Sequence, residues 1–170
     1  MNNEHVLKQL SWRYAVKKFD PLKKISDKNW EALEESLRLS PSSYGLQPWK
    51  FIVVHNKEIL KKLTALTWGQ SQVEDCSHYV VFTTKIKLDE AYVEKFIARV
   101  ADVRDIDPKT LDGYKNVMIK DLINGPRSET IDHWAQRQAY IAMGFIMQTA
   151  AVLEIDTCPI EGLDPKGYDK

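Results

Sequence analysis

Cysteine is scarce in this chain. Cys76 and Cys158 are the only two among 170 residues, they stand far apart, and they form no C-x-x-C pair. No cysteine–histidine cluster has ligand spacing, so no metal site is expected. The two thiols read as small buried residues in a reducing compartment. Net charge is also absent, because 24 basic residues offset 24 acidic ones. A chain without an overall positive field does not collect nucleic acid or anionic lipid, so any anion binding has to be local. No segment approaches the roughly 18 consecutive apolar residues that span a bilayer. The opening Met1-Asn-Asn-Glu-His5 lacks the basic region and apolar core of a secretory leader. These absences predict a cytoplasmic protein with no nucleic-acid or membrane partner.

Recognisable catalytic motifs are missing as well. The chain holds no G-x-S-x-G elbow, Walker loop or G-x-G-x-x-G turn. His5, His55, His78 and His133 are scattered, and none pairs with a serine or carboxylate at a nucleophile spacing. An enzyme without a visible acid, base or nucleophile leaves the chemistry to a cofactor. What is present is ordinary globular composition, 44% apolar and 28% charged. It predicts one domain over residues 1–170 with a real core, free of repeats and low-complexity segments.

Periodicity and punctuation predict alternating helices and short strands. Val6, Leu7 and Leu10 mark one side of an opening helix. Ser26 is a candidate N-cap for a helix to about Leu39, with Trp30, Leu33 and Leu37 as its apolar stripe. Trp49 to Val54 and Tyr79 to Thr84 read as buried strands. Asn56 caps a helix whose Ile59, Leu60, Leu63 and Leu66 face inward, and Thr67 to His78 reads as a polar loop. Asp89 to Val103 is amphipathic through Tyr92, Phe96, Ile97 and Val100. Asp107-Pro108 opens a further helix to Ile123, buried along Leu111, Tyr114, Met118 and Leu122, and Gly125-Pro126 stops it. The longest helix runs from Ser128 to about Leu153. Its second half, from Ala139, is apolar almost all round, which requires cover on every side. Either a second subunit or a core position within one chain supplies that cover.

Two segments point to chemistry. Arg13 and Lys17 lie four residues apart, an interval that leaves both cations on one side of a helix or of an extended strand. Arg can grip phosphate in a fork while Lys acts as a point charge. The plain alternative is a solvated basic patch with Lys18, Lys23 and Lys24. The second segment, Pro41-Ser-Ser-Tyr-Gly-Leu-Gln-Pro-Trp49, is dense in hydroxyl and amide donors and enters a strand. Its plain alternative is a helix–strand connector. Such a pair of segments suits an anionic ligand with a flat polar body, as a flavin mononucleotide (FMN) is. Gly69-Gln-Ser-Gln72 adds donors, and in Pro159-Ile-Glu-Gly162 the glycine lets backbone amides approach a ligand closely. Glu161 reads as surface, with its backbone the useful part.

At these residues the chain resembles the nitroreductase family of FMN-dependent oxidoreductases. The matching pieces are Arg13-Tyr-Ala-Val-Lys-Lys-Phe-Asp-Pro21, Pro41 to Val53, Asp75-Cys-Ser-His-Tyr-Val-Val-Phe82, Trp134-Ala-Gln-Arg-Gln-Ala-Tyr140 and Pro159-Ile-Glu-Gly162. The resemblance implies an α+β sandwich: a mixed, mainly antiparallel sheet flanked by helices, in an intertwined homodimer with FMN at the subunit interface. It implies cofactor contacts from Arg13, Tyr14, Ala15 and Lys17, with Arg13 on the phosphate and Lys17 near the N1 and O2 edge of the ring. Pro41, Ser42, Ser43 and Gly45 would reach FMN from the partner subunit. Gln70 and Gln72 would border the pyrimidine edge. Pro159 and Ile160 would cover one ring face, and Glu161 and Gly162 would offer backbone amides. Tyr44 would look into the substrate pocket.

The activity so implied is ping-pong hydride transfer from NADH or NADPH through the flavin to a nitroaromatic, quinone or pterin-like acceptor, with no protein nucleophile. Two departures from the family stand out. Gln72 replaces a second lysine found in some members. Members also continue some tens of residues beyond a point matching Lys170; either the sequence is a fragment of a longer chain, or weaker FMN retention and an exposed sheet edge are expected. The alternative on the same residues is a non-catalytic, truncated flavin-binding or dimerisation module.

Overall fold

The computed structural model describes residues 2–170; Met1, part of the stretch read for a leader, lies outside them. Side-chain caps set most helix starts, as polar residues before apolar-periodic runs predict. Asn2 accepts from the His5 amide ahead of α1 (Asn3–Trp12). Ser26 accepts from the Asn29 amide ahead of α2 (Asp27–Arg38). Asn56 accepts from Glu58 and Ile59 ahead of α3 (Lys57–Leu66). Asp89 accepts from Tyr92 ahead of α5 (Glu90–Arg104).

β1 (Trp49–Val54) and β2 (Tyr79–Thr84) pair as a two-stranded sheet. The Lys85 N–H donates to the Pro48 carbonyl at 2.9 Å, and the Thr83 hydroxyl donates to the Lys50 carbonyl at 3.0 Å. Residue numbers therefore run in opposite senses across the pair, which makes it antiparallel. An isolated parallel bridge joins Ala15 to Thr157. The α+β class follows. The strands fall where the apolar runs place them but are not buried. All six residues of β2 are half-buried, and Ile52 in β1 is 48% exposed. Continuous apolar sequence signals a strand; the number of layers covering it is settled elsewhere.

The chain divides into two compact units. The first comprises Met1–Ser40, Phe51–Val81 and Met143–Lys170, and the second Pro41–Lys50 and Phe82–Ala142. In the first unit Leu33, Leu37, Leu60, Val73, Ala150 and Ala151 are buried. α1 departs from expectation: Leu7 and Leu10 are exposed, and the buried residue is Gln9, whose amide donates to Glu154 at 2.9 Å. Ile59 in α3 is also exposed. The expected Thr67–His78 loop contains a short helix, α4 (Gln72–Asp75), which packs on α3 through buried Val73. α8 (Pro165–Tyr168) also packs on α3. There the Tyr168 hydroxyl lies 2.7 Å from that of Tyr79 and 2.5 Å from that of Thr67, which donates on to the Leu63 carbonyl. Both cysteines are half-buried and free. Burial pushes the Cys76 thiol up to about 11, against the Lys24 charge that opposes it.

The second unit is built on Leu46, Leu88, Val93, Ile97, Met118, Leu122, Trp134 and Ala135. The helix expected over Pro108–Ile123 is three pieces: a 3-10 turn Pro108–Leu111, α6 (Asp112–Met118) and a π turn Ile119–Ile123. The π turn closes through the Asn124 N–H to the Ile119 carbonyl at 3.0 Å. Gly125 follows so tightly that a Cβ there would stand 2.5 Å from the Lys120 carbonyl oxygen. Met118 and Leu122 keep the expected buried stripe, whereas Tyr114 is exposed. The next helix, α7 (Ile131–Val152), begins later than Ser128 because a 3-10 turn occupies Pro126–Thr130. Along α7, Ala139, Ala142, Ile146, Ala150 and Ala151 are buried, and Tyr140, Ile141 and Phe145 are exposed. Among the described residues no helix is long and apolar enough to cross a membrane.

Leu122 has no solvent exposure at the centre of this second core. Leu122→Ala should lower stability by about 2–5 kcal/mol, read as a drop in the urea midpoint. A loss under about 1 kcal/mol would mean that the π turn does not anchor the core.

Candidate functional site

The candidate residues fall into two sets, one in each unit. In the first unit, α1 ends at Trp12. Arg13 is its C-cap, with extended backbone (φ −68°, ψ 139°). Of the two conformations open from sequence for Arg13–Lys17, the extended one is found. Ala15 bridges Thr157, and the Val16 N–H donates to the Thr157 carbonyl at 3.2 Å. This ladder fixes the basic segment beside the chain that leads into Pro159–Gly162. Lys17 is close enough to Cys158 for its charge to oppose the upward push of burial on that thiol.

Arg13 carries the most informative atom of this set. Its Nε is buried and has no hydrogen-bond partner. A buried donor without an acceptor costs about 1–3 kcal/mol. A guanidinium satisfies that need best with a bidentate oxyanion. Such a residue fits the phosphate of an FMN-like ligand.

Gln70 joins the same set, because its side-chain amide donates to the Gly162 carbonyl at 3.4 Å. Trp68, 80% exposed at φ 53°, lies over Gly162 so closely that a Cβ there would stand 2.7 Å from the ring. Gln72 opens α4 and is half-buried, with its carbonyl accepting from the Cys76 N–H. Pro159 and Glu161 are exposed, and Ile160 is half-buried. Glu161 therefore sits at the surface, as read from sequence, and its carbonyl accepts from the Leu163 N–H at 2.9 Å.

The second set is the Pro41–Pro48 loop. Much of its donor capacity holds the loop itself. The Ser42 hydroxyl accepts from the Gln47 N–H at 2.9 Å, and the Ser42 carbonyl accepts from the Gly45 N–H at 2.9 Å. The Ser43 N–H donates to the side chain of Gln138 at 2.9 Å, and Gln138 donates in turn to the Trp134 carbonyl. The Tyr92 hydroxyl donates to the carbonyls of Leu46 and Gln47. The Ser43 side chain is at the surface. Tyr44 and Gly45 both have positive φ, 60° and 68°. Gly45 adopts this freely. Tyr44 does so at a cost of ~1–3 kcal/mol, a strain that persists only where the surroundings enforce it.

The surroundings do enforce it. The Tyr114 hydroxyl donates to the Tyr44 carbonyl at 2.7 Å. The Tyr44 hydroxyl donates to Asp121 Oδ2 at 2.8 Å, and Arg127 Nε donates to Asp121 Oδ1 at 3.1 Å. The Tyr44 hydrogen bond and the Arg127 charge hold the Asp121 carboxyl below its ordinary value; the same bond holds the Tyr44 phenol above its own. Sequence reading gave no site role to Gln138, which lies in the Trp134–Tyr140 piece, or to Tyr114, read as a core residue, and it did not single out Asp121 or Arg127. Gln138 had a signal, as a polar residue entering the apolar half of α7. Asp121 and Arg127 flank the Gly125-Pro126 stop and read only as surface charges.

Known proteins were compared with the chain as a whole. The model of the nitroreductase family matches residues 10–170. YfkO of Bacillus subtilis, provisionally named an NAD(P)H nitroreductase, is 40% identical over 163 residues, which cover 92% of this chain and 74% of the relative. A Haemophilus influenzae protein with the same provisional name is 36% identical over 173 residues, 100% of this chain and 77% of its own length. Among solved structures, a protein from Exiguobacterium sibiricum described as a nitroreductase in complex with FMN aligns with a TM-score of 0.75 at 20% identity, over 99% of this chain and 80% of that one. The nitroreductase-like ydfN of Bacillus subtilis aligns with a TM-score of 0.82 at 20% identity, again over 99% and 80%. These two likenesses establish the fold.

If the Asp121 carboxylate holds the Tyr44 proton, Asp121→Asn should bring the Tyr44 phenol down toward the ordinary tyrosine range. Titration followed by NMR of ring-labelled tyrosine, with Tyr44→Phe assigning the signal, would measure it. An unmoved midpoint would contradict the hydrogen bond.

Proposed function

Because the chain belongs to the nitroreductase family, we propose that it is an FMN-dependent NAD(P)H oxidoreductase, a cytoplasmic homodimer in which residues 1–170 form one cofactor-binding domain. The observation that carries this reading is the buried, unpartnered Nε of Arg13 on a segment bridged to Thr157. When bound, FMN supplies two-electron chemistry between NADH or NADPH and a small acceptor, a nitroaromatic, a quinone or a pterin-like ring.

The chain's own residues bind and orient. Arg13 takes the phosphate and thereby satisfies its buried donor. Tyr14 and Ala15 continue the same extended segment against the ligand. Lys17, an exposed ammonium, favours added negative charge on the bound ring by simple Coulomb attraction. Gln70 and Gln72 present amides to the ring's polar edge. Pro159 and Ile160 cover one face and exclude water, with the backbone of Glu161 and Gly162 beside them. Pro41, Ser42, Ser43 and Gly45 serve the FMN of the second copy, and Tyr44 lies at the acceptor pocket. Stacking of flat acceptors over one ring accounts for a broad range, because it reads shape more than functional group.

The homodimer rests on α7. Tyr140, Ile141 and Phe145 leave apolar area exposed on a helix whose other side buries Ala139, Ala142, Ile146, Ala150 and Ala151. A second copy covers such a surface and needs no additional partner.

Purified protein supplied with FMN should turn yellow and bleach anaerobically on addition of NADH or NADPH. Flavin uptake without bleaching would favour the non-catalytic module. Arg13→Gln should weaken FMN binding by about 10- to 100-fold, the worth of a charge-assisted hydrogen bond, followed by quenching of flavin fluorescence. Unchanged affinity would remove Arg13 from the phosphate site. Phe145→Asp should shift the protein from dimer to monomer in sedimentation analysis; an intact dimer would place the interface elsewhere.

A further inference from the structure

We propose that Tyr44 is an acceptor-only hydrogen-bonding group that selects electron acceptors carrying an N–H or O–H donor, and that Asp121 is the positioning residue that makes it so. The inference rests on the proposed function, in which Tyr44 borders the acceptor pocket, and it deepens that reading by naming the substrate class.

A phenol has one proton to give and lone pairs to receive with. Here the proton is committed. The Tyr44 hydroxyl donates to Asp121 Oδ2 at 2.8 Å, while Arg127 Nε occupies the other carboxylate oxygen at 3.1 Å. One donor on each oxygen keeps the carboxylate ionised, so the proton cannot be returned to a ligand without breaking a charge-assisted bond. The phenolic oxygen retains its accepting capacity.

The backbone that carries the phenol is held at two points. Tyr44 sits at φ 60°, a value that a side-chain-bearing residue keeps only under constraint, and the Tyr114 hydroxyl pins its carbonyl at 2.7 Å. Asp121 is itself placed by the π turn Ile119–Ile123, in which the next residue, Leu122, is buried in the core. Single π turns of this kind recur at functional sites. A nitro or carbonyl oxygen meeting the Tyr44 hydroxyl therefore finds no donor in the phenol itself, whereas an amide or amine N–H finds a lone pair made more basic by the anion behind it.

A matched pair of acceptors tests this. 4-Nitrobenzamide carries two amide N–H groups, and its N,N-dimethyl derivative carries none. The ratio of their kcat/KM values, primary amide over dimethyl amide, is measured in the wild type, Asp121→Asn, Tyr44→Phe and the double variant. FMN uptake and bleaching are recorded on the same preparations. The wild type should favour the primary amide, chiefly through KM. Tyr44→Phe should lower the ratio by about 5- to 10-fold, the worth of one neutral hydrogen bond. Asp121→Asn should lower it by a smaller factor of about 2 to 5, because the oxygen stays but loses the anion behind it, and the double variant should fall no further than Tyr44→Phe, because the carboxylate acts only through the phenol. Should Asp121→Asn fail to fold, Tyr44→Phe alone decides, since it keeps the ring and loses only the oxygen. An unchanged ratio in the single variants, or independent losses that multiply in the double variant, overturns the proposal. A wild type that takes up no FMN, or does not bleach, removes the underlying function; bleaching with unaltered selectivity removes the inference alone.

Discussion

A donor nitrogen that is taken out of water must be given an acceptor, and the Nε of half-buried Arg13 has none. Two features hold the backbone beside that nitrogen. The end of α1 at Trp12 turns the backbone extended at Arg13, and the Ala15–Thr157 bridge holds the following residues in place. A flexible arginine would turn its head to solvent and leave no donor unsatisfied. The unit therefore keeps a cost of about 1–3 kcal/mol, which the oxyanion proposed above would relieve. Under that proposal the site is preorganised, with folding rather than the ligand supplying the ordering.

The second unit stores strain in a different form. Tyr44 holds a left-handed backbone because Tyr114 and Asp121 grip its carbonyl and its hydroxyl. Both grips come from the irregular stretch between Pro108 and Ile123, where 3-10, α and π turns succeed one another. The irregularity keeps Met118 and Leu122 in the core while Tyr114 and Asp121 face the loop. Ser43 is tied separately, by its N–H to buried Gln138. A loop fixed by so many internal bonds offers a ligand shape and a few chosen atoms, and less donor density than its composition suggests.

Legibility from sequence followed the range of the interactions. Ser26 and Asn56 were readable as caps because a cap involves residues two or three apart. Both strands were placed to the residue because apolar runs bounded by polar ones are local signals. Their burial was misjudged, since it depends on what else covers the sheet. The helix over Pro108–Ile123 was drawn as continuous because the same apolar stripe serves an α and a π closure. In α1 the buried residue was Gln9 rather than Leu7 or Leu10, since its partner Glu154 lies at the other end of the chain. Gln70 and Gly162 were recognised as candidates, but the hydrogen bond between them was not visible.

The sequence by itself determined the positions of most elements, the α+β class and, through its motifs, the family, because capping chemistry, side-chain periodicity and motif spacing are encoded over short distances. Tertiary structure alone decided which donors are spent and which remain. It left Arg13 Nε without a partner, committed the Tyr44 proton to Asp121, and turned the Ser43 amide toward Gln138. Those assignments depend on atoms separated by up to 95 positions in the chain, and only folding brings such atoms within the 3 Å over which a hydrogen bond acts.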